Sequence, residues 1–269
     1  MASRRRIDER LVADGLVPSR SVAQRLIMAG VVRANGERID KSSHLVSDAV
    51  QLSIDEPPRF VSRGGDKLDN ALCDLQDELA AAGRDVAGSR AIDIGASTGG
   101  FTDCLLQRGA SSVIAVDVGY GQLDSRLRND PRIHNLERTN ARWLQPEDLP
   151  WKPQIIVCDA SFIPLRTILP GPLACMEPGF WGVILCKPQF EAGRQRLARS
   201  GTKGVLRDPE VRDEVVNEVR RDLERMELAV VAIVEARPRG AKGNVEYAML
   251  IEDAAAGIRA PGVAEDDPE

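Results

Sequence analysis

The chain has 269 residues, 43% of them hydrophobic, which suffices for one large and one small domain with full apolar cores. Its net charge of −5 at pH 7 excludes nucleic-acid binding through overall positive charge. The charge is unevenly spread: residues 252–269 hold six acids against one arginine, whereas residues 1–54 hold nine lysines and arginines against six acids. Any contact with nucleic acid must therefore come from local basic surfaces.

The five cysteines and the length of the apolar runs indicate the cellular compartment of the protein. The cysteines form no closely spaced pair and three of them sit in apolar runs, which is typical of reduced core thiols. No apolar stretch approaches the roughly 18–20 residues that cross a bilayer, and no signal-peptide segment follows the basic start. We expect a monomeric, cytoplasmic protein without membrane association or a metal site.

The first 54 residues have the pattern of a small separate module. Apolar residues at helical spacing, with capping residues around them, predict two helices, and the Asn35-Gly36 pair is typical of a tight hairpin. The second helix carries basic residues opposite its apolar face. The predicted elements are a helix that ends near Gly15, a helix from Ser19 or Ser21 to Gly30, a hairpin over residues 31–39 and a closing strand over residues 50–54.

The rest of the chain alternates predicted strands and helices after a proline-stiffened linker at residues 55–58. This alternation predicts an α/β fold with a doubly wound, mainly parallel sheet, whose ligands lie beyond the carboxyl ends of the strands. The predicted strands are 90–94, 113–117, 154–158, 183–186, 229–234 and 245–251. The predicted helices are 66–83, 101–108, 166–176 and 209–226. Lys67 in the first turn of its helix opposes the helix dipole, so it is either a functional residue or an ordinary exposed lysine.

The stretch Ala91–Thr102 predicts a strand, a glycine-rich turn and a helix, which is the form of a nucleotide-type binding loop. A dinucleotide fingerprint would need glycine at position 97, where the chain has Ser97. An acid, Asp117, ends the next strand 22 residues after Gly95 and suits bonding to two ribose hydroxyls. These features favour an adenosine cofactor without a pyrophosphate, of which S-adenosylmethionine is the best candidate. The alternative is an ordinary tight turn between strand and helix.

Polar residues follow or precede three further predicted strands. Asp159 and Lys187 end separate apolar strands, and Glu246 precedes an apolar run. The ends of parallel strands meet at one edge of a sheet, so we expect Asp159 and Lys187 to face the ligand together with Asp117.

Six motifs in this order resemble the TlyA family, also called haemolysin A, an S4 domain fused to an FtsJ-like methyltransferase. The N-terminal module carries the S4-like pattern that begins Arg6-x-Asp8-x-x-Leu11. The six motifs are Gly95-Ala-Ser-Thr-Gly-Gly-Phe-Thr102, Asp117-Val-Gly-Tyr-Gly-Gln-Leu123, Glu137-Arg-Thr-Asn-Ala-Arg142, Asp159-Ala-Ser-Phe-Ile163, Lys187-Pro-Gln-Phe-Glu191 and Gly243-Asn-Val-Glu-Tyr247. Residues 193–203 and 235–242 are more basic than the family pattern, which bears on RNA affinity and target choice.

The resemblance implies methylation of ribose 2′-hydroxyls of cytidines in 16S or 23S ribosomal RNA within ribosomal subunits, with S-adenosylmethionine as the methyl donor. It implies an S4-like RNA-binding domain over residues 1–58, a linker over 59–64, a methyltransferase domain over 65–253 and an acidic disordered tail over 254–269. The family's catalytic tetrad falls on Lys67, Asp159, Lys187 and Glu246. The expected cofactor-binding residues are Gly95, Ser97, Thr98, Gly99, Gly100, Phe101, Asp117 and Asn140. The expected RNA-binding residues are Arg4, Arg6, Arg20, Lys41, Arg194 and Arg196.

The chemistry of the tetrad allows two roles for Lys187. In its neutral form it could accept the hydroxyl proton, and in its charged form it could stabilise the forming alkoxide. Asp159 would hold Lys187 in place, while Lys67 and Glu246 would position the ribose. Two other functions stay open from the sequence alone: a non-catalytic RNA-binding protein on a methyltransferase fold, and a membrane-active haemolysin.

Overall fold

The computed structural model describes residues 4–28, 30–55, 58–193, 196–197, 205–240 and 243–254. The chain divides into two compact units, Met1–Pro58 and Arg59–Glu269. The predicted tail therefore lies, apart from its first residue, outside the described residues. No helix in these ranges is long and apolar enough to cross a membrane.

The first unit packs two helices against short strands, as predicted. Asn35 and Gly36 both have positive φ, of 50° and 83°, which is the backbone of the predicted hairpin. The prediction missed a strand over Arg4–Arg6, which pairs antiparallel with Leu45–Ser47, because three consecutive arginines show no apolar alternation. The elements are β1 (Arg4–Arg6), α1 (Ile7–Ala13), α2 (Arg20–Met28), β2 (Val32–Ala34), β3 (Glu37–Arg38), β4 (Leu45–Ser47) and β5 (Leu52–Ile54).

The second unit is built on a seven-stranded sheet, which confirms the predicted α/β fold. Its strands are β6 (Arg90–Ile94), β7 (Ser112–Val116), β8 (Ile133–Leu136), β9 (Ile155–Cys158), β10 (Trp181–Cys186), β11 (Leu228–Glu235) and β12 (Tyr247–Asp253). The strand order is β11-β12-β10-β9-β6-β7-β8. The five strands from β10 to β8 are parallel, and β12 is antiparallel to both of its neighbours.

Helices cover both faces of this sheet. They are α3 (Arg63–Asp74), α4 (Gln76–Ala81), α5 (Gly100–Gln107), α6 (Ser125–Arg128), α7 (Leu165–Ile168), α8 (Pro170–Ala174), α9 (Pro188–Glu191) and α10 (Pro209–Glu224). Alternate strand residues, such as Ile155 and Ile156, enter two separate apolar clusters, one on each face. Burial on both faces explains why the central strands are continuous apolar runs.

Several predicted boundaries were wrong for identifiable reasons. The helix expected over 66–83 begins at Arg63 and breaks at Leu75, and the one expected over 166–176 breaks before Pro170, whose nitrogen cannot donate. The edge strand β8 was missed, because its residues are only partly buried and do not alternate. Residues 59–64, expected as a linker, contain Phe60, which is buried in the core of the second unit.

Candidate active site

Four charged side chains converge on one cavity of about 470 Å3 in the second unit. Asp159 directly follows β9 and Lys187 directly follows β10. Glu246 directly precedes β12, which runs antiparallel to β10 and so begins at the edge where β10 ends. Lys67 comes from the second turn of α3, because that helix begins three residues earlier than predicted. The structure thus brings together all four residues of the expected tetrad.

The four side chains form two ion pairs. Lys67 Nζ donates to Glu246 Oε2 at 2.6 Å, and Lys187 Nζ lies 2.5 Å from Asp159 Oδ1. Lys187 and Glu246 are buried, so neither charge could be accommodated without its partner. Each lysine is therefore held at the cavity by a carboxylate.

Ser161 is a further partner of Lys187 that the sequence did not single out. Lys187 Nζ donates to Ser161 Oγ at 2.9 Å and lies 3.5 Å from the carbonyl oxygen of Asp159. Ser161 is exposed and lines the cavity with the tetrad. Its position two residues after Asp159 places it on the loop that also carries the carboxylate. Only the short spacing from Asp159 could have indicated it in the sequence.

The predicted cofactor loop forms one wall of the same cavity. Gly95 has φ of +80°, and a Cβ there would lie 3.2 Å from the carbonyl oxygen of Asp159. Glycine therefore allows the loop to pass close to the strand that carries the tetrad acid. The expected cofactor-binding residues of the loop that line the cavity are Gly95, Ser97, Thr98, Gly100 and Phe101, and Ala96 lines it as well.

Gly99, also expected to bind the cofactor, is not among the lining residues of this cavity or of its neighbour. Its left-handed backbone, with φ of +93°, begins α5. A Cβ at this position would lie 2.4 Å from Leu127 Cδ1. Glycine is needed here for helix geometry and packing.

Asp117 and Asn140 line an adjoining cavity of about 540 Å3, which shares Gly95 and Ser97 with the first cavity. Asp117 Oδ2 accepts from the backbone N–H of Ser97 at 2.8 Å, and Oδ1 accepts from that of Gly119 at 2.7 Å. The carboxylate keeps further lone pairs for a ligand. Asn140 accepts from the N–H of Arg142 and caps the short 3-10 helix Ala141–Trp143.

Asp93 is a cavity-lining acid that the sequence analysis noted in the loop but did not assign to the site. It lies within β6 and is fully buried. Its Oδ2 accepts from the backbone N–H and the hydroxyl of Thr102, at 2.9 and 2.7 Å, while Oδ1 has no partner among the described residues. Burial, with smaller contributions from the charges of Asp159 and Asp117, raises the pKa of Asp93 to about 7.

Phe162 is the second residue that the sequence did not single out. It is 87% exposed and lines both cavities. Its φ of +66° is unusual for a bulky residue, and its ring centroid lies 4.8 Å from that of Phe190. Such strain persists only when the surroundings impose it, and it is concentrated at functional sites.

The basic residues expected to bind RNA are placed unequally. In the first unit, Arg6 and Arg20 both donate to the buried carboxylate of Asp8, Arg6 through two hydrogen bonds of 3.0 Å and Arg20 through one of 2.9 Å. Arg4 lies in β1 and Lys41 is exposed at the start of a turn.

Arg194 lies outside the described residues, as do the other basic positions 199 and 203 of its segment. Arg196 is described, and its guanidinium forms two hydrogen bonds of 2.7 Å with Glu218 of α10. Its charge is therefore matched within the chain. The geometry gives Arg196 a contact with a helix, whereas the sequence predicted a contact with RNA.

Two family models match the chain. The FtsJ-like methyltransferase model covers residues 60–252, and the S4 domain model covers residues 5–51. Both matched segments agree with the two units of the structure.

Relatives match over nearly the whole length. The chain is 45% identical to the 16S/23S rRNA (cytidine-2′-O)-methyltransferase TlyA of Mycobacterium tuberculosis, over 92% of this chain and 89% of that protein. It is 38% identical to hemolysin A of Brachyspira hyodysenteriae, over 90% of this chain and 97% of that protein. A solved structure described as a putative hemolysin from Streptococcus thermophilus has 37% identity and a TM-score of 0.68, over 94% of this chain and 90% of that one.

Proposed function

The chain belongs to the FtsJ-like methyltransferases, within the TlyA family, and we propose that it transfers a methyl group from S-adenosylmethionine to the ribose 2′-hydroxyl of a cytidine in ribosomal RNA. The observation that carries this proposal is the pair of lysine–carboxylate contacts beside the glycine-rich loop. The RNA acts as substrate within a ribosomal subunit, which the S4 domain of the first unit helps to bind.

A ribose hydroxyl is a weak nucleophile, and S-adenosylmethionine, when bound, supplies an electrophilic methyl group. The protein must therefore align the hydroxyl oxygen and control its proton. Alignment alone can lower the barrier by about 7–11 kcal/mol at best. The buried ion pairs fix the polar groups that meet the hydroxyl, so that little reorganisation is needed when charge develops.

Lys187 is the residue we assign to the reacting oxygen. Its nitrogen has three hydrogen or lone-pair positions besides the bond to carbon. Nζ donates to Ser161 Oγ and, at 3.5 Å, to the carbonyl oxygen of Asp159, and it lies beside the carboxylate of the same aspartate. These partners all belong to the loop after β9, so they hold the nitrogen at the wall of the cavity. Ser161 is thus a positioning residue, and the same geometry serves proton acceptance or stabilisation of a forming alkoxide.

Lys67 and Glu246 present a second polar pair to the same cavity. The contact of 2.6 Å ties a residue of α3 to the start of β12. Glu246 Oε1 also lies where a Cβ at Gly240 would stand, 1.9 Å away, so the loop before β12 needs glycine to pass the carboxylate. We assign this pair to holding the ribose, whose two hydroxyls offer both a donor and an acceptor.

The residues around the loop fit S-adenosylmethionine chemically. Asp117 would accept from the ribose hydroxyls of the cofactor, and Asn140 would border its adenine. The unpartnered Oδ1 of Asp93 is buried, in a side chain that lines the first cavity, and it suits a positive charge such as the amino group of the methionine part. The close approach of Gly95 to Asp159 brings the two cavities together.

Phe162 offers a flat surface for the target base. Its exposed ring lies at the rim of the tetrad cavity and is backed by Phe190. A base that leaves its stack to reach the active site loses stacking energy of a few kcal/mol, which an aromatic ring can partly restore. The left-handed backbone at Phe162 holds the ring at the rim.

Docking to RNA is assigned in part to the first unit. Asp8 holds Arg6 and Arg20 side by side and Arg20 also pairs with Glu9 at 3.1 Å, so the two partly exposed guanidiniums have fixed positions. Phosphate oxygens are their natural partners, and such contacts weaken with salt because counterions are released on binding.

The function is tested by transfer of tritiated methyl groups from S-adenosylmethionine to 30S subunits, 50S subunits and naked ribosomal RNA, followed by mapping of the modified nucleotide. The wild-type chain should label the 2′-oxygen of a cytidine. Absence of label on all substrates, with cofactor binding intact, would favour a non-catalytic RNA-binding protein.

Lys187→Ala should abolish transfer while cofactor affinity stays within a few-fold, since the lysine acts on the hydroxyl. The matched control is Lys152→Ala, which removes an exposed lysine outside both cavities. Turnover by Lys187→Ala close to that of the control variant would overturn the assigned mechanism.

A further inference from the structure

Two exposed aromatic rings beyond the end of β8 each carry a stacked arginine. Tyr120 and Trp143 are 71% and 67% exposed. The Arg138 guanidinium lies 4.1 Å from the centre of the Tyr120 ring, and that of Arg142 lies 5.1 Å from the Trp143 ring. An exposed aromatic ring with a guanidinium over it offers a flat apolar face and a positive charge together.

These two arginines differ from their neighbours in having no acidic partner within the described parts of the chain. Arg126 and Arg132 lie 3.0 and 2.7 Å from carboxylate oxygens of Asp124 and Asp130. No such ion pair involves Arg138 or Arg142. Their stacked planes fix their direction, so their N–H groups stay available to an anion.

One of these rings and one of these guanidiniums line a cavity of about 370 Å3. Trp143 and Arg138 line it, the buried Leu144 contributes an apolar surface, and Asp148 contributes a carboxylate. Asp148 Oδ2 accepts from the N–H of Gln145 at 2.9 Å, which fixes the carboxylate in the short 3-10 helix Pro146–Asp148. The cavity thus combines a ring face, a cationic edge and a hydrogen-bond acceptor.

The segment that carries this cavity is tied to the cofactor acid. The N–H of Arg138, whose φ is +55°, donates to the carbonyl oxygen of Gly119 at 2.9 Å. The N–H of Thr139 donates to the carbonyl oxygen of Asp117, also at 2.9 Å. The aromatic and cationic groups are therefore held in place before any ligand arrives, close to the cofactor cavity that Thr139 also lines.

We propose that this cavity binds an unpaired base of the RNA substrate, an inference that rests on the proposed function. The base stacks on Trp143, a base amino group donates to Asp148, and Arg138 with Arg142 binds the flanking phosphates. Unpaired nucleotides expose both ring faces, whereas duplex RNA does not, so the site selects single-stranded or bulged RNA.

Tryptophan fluorescence tests the proposal directly, because stacking of a base quenches an indole. The chain has three tryptophans, of which Trp181 is buried and Trp151 is only partly exposed. In-vitro-transcribed 16S and 23S RNA should quench the full chain, and a fully paired RNA of equal length should bind without comparable quenching. Trp143→Phe should lose the quenching but keep RNA affinity, whereas Trp151→Phe should keep both.

Affinity variants give a second readout by filter binding to the same transcripts. Trp143→Ala should weaken binding by about 5-fold to about 150-fold, the range expected for loss of one base–aromatic stack. Arg138→Ala should also reduce the slope of affinity against salt, and Arg126→Ala, which removes an equal charge already matched by Asp124, should change it little. Cofactor affinity should be unchanged in all of these variants.

Equal quenching by paired and unpaired RNA, quenching that persists in Trp143→Phe, or wild-type affinity of Trp143→Ala would each overturn the proposal. Methyl transfer by the wild-type chain is measured in parallel. Failure of the base site with normal transfer refutes only the base site, whereas absence of transfer with normal quenching refutes the proposed function and leaves the base site standing.

Discussion

Two aspartates, one in each unit, are both fully buried, and yet their pKa values are shifted in opposite directions. Asp8 accepts from Arg6, Arg20 and Gln24 side chains, and the hydrogen bonds from Arg6 are the main reason why its pKa lies well below the ordinary value. Among the described residues, Asp93 accepts hydrogen bonds from Thr102 alone, both of them on one oxygen. Burial raises the pKa of Asp93 to about 7. Burial alone therefore does not decide the charge of a carboxylate.

The donors around each carboxylate explain the difference and suggest different roles. Asp8 has its charge matched inside its own unit, so it serves to hold two arginines at a partly exposed surface. Asp93 has an oxygen without a partner in the described chain, at the wall of a cavity. A buried polar group left unsatisfied costs free energy in the free protein, and a ligand that satisfies it regains that cost.

Replacing Asp8 tests the first half of the comparison and should give the largest effect. Asp8→Ala should destabilise the first unit by about 3 kcal/mol, the lower end of the range for breaking a buried ion pair, because Arg6 and Arg20 are 35% and 49% exposed and can turn to water. Hydrogen exchange of residues 7–13 in the full chain, followed by mass spectrometry, measures this change.

The control is Asp48→Ala in the same unit, since Asp48 is a largely exposed partner of Arg5 and should contribute less than about 1 kcal/mol. Equal protection of residues 7–13 in the two variants would show that Asp8 is no more important than a surface acid. The same pair of variants should separate in RNA binding, because only Asp8 fixes Arg6 and Arg20.

In its hydrogen bonding Asp117 lies between Asp8 and Asp93. Each of its oxygens accepts a hydrogen bond from one backbone N–H and can accept another from a ligand. Asp117→Ala should weaken S-adenosylmethionine binding by about 1.5–3 kcal/mol, the value of hydrogen bonds to a charged acceptor. Titration calorimetry measures this loss. Asp124→Ala, which removes a helix-capping acid outside both cavities, is the control, and equal affinity in both variants would remove Asp117 from the cofactor site.

Whether a site residue could be predicted from the sequence depended on whether a regular element or a loop positions it. Asp159 and Lys187 were predictable because they end apolar strands, and parallel strands end at one edge of a sheet. Lys67 and Glu246 were assigned to the tetrad through the family resemblance. Asp93 lies inside an apolar strand, so its role depends on Thr102 and on the cavity, which no local pattern shows.

The loop residues were not predictable for a different reason. Phe162 and Ser161 gain their positions from a left-handed backbone and from a contact with Lys187, 26 residues further along the chain. Tyr120 lies after β7 and Trp143 after β8, and β8 itself was missed. Alternation and capping patterns contain no signal for such contacts.

Replacing Ser161 tests whether Lys187 needs its hydrogen bond to the serine hydroxyl. Ser161→Ala removes one acceptor from Lys187, so the position of Nζ at the cavity is less well fixed. We expect kcat to fall roughly 10-fold, the lower end for loss of a hydrogen bond to a charged group, with little change in KM. Ser161→Thr, which keeps the hydroxyl, should restore most of the activity.

The division of the effect between kcat and KM separates positioning from a general structural defect in this variant. Ser161 contacts Lys187, so its loss should lower kcat and leave KM and cofactor affinity nearly unchanged. A rise in KM as large as the fall in kcat, or a failure of Ser161→Thr to recover activity, would show that the hydroxyl does not act through Lys187.

The raised pKa of Asp93 makes the stability of the folded protein depend on pH. Between its ordinary pKa near 4 and its folded value of about 7, the folded protein keeps a proton that the unfolded chain has lost. Stability contributed by this group therefore falls as pH rises through that window, by at most about 1.4 kcal/mol per pH unit, and levels off above it. Asp93→Asn should flatten this dependence.

Cofactor binding should ionise Asp93, because S-adenosylmethionine is positively charged and would stabilise the carboxylate of this cavity-lining residue. At pH 6.5 binding should then release up to about one proton, and at pH 9, where the carboxylate is already ionised, it should release none from this group. Calorimetry in two buffers of different ionisation enthalpy measures the release.

Asp93→Asn removes the titrating group while retaining an acceptor for Thr102, so cofactor binding to this variant should be free of this release at both pH values. Proton uptake by the wild-type chain at pH 6.5, or equal release in Asp93→Asn, would place the cofactor's charge away from Asp93. Asp93 would then resemble Asp8 in being a purely structural acid, despite its open oxygen.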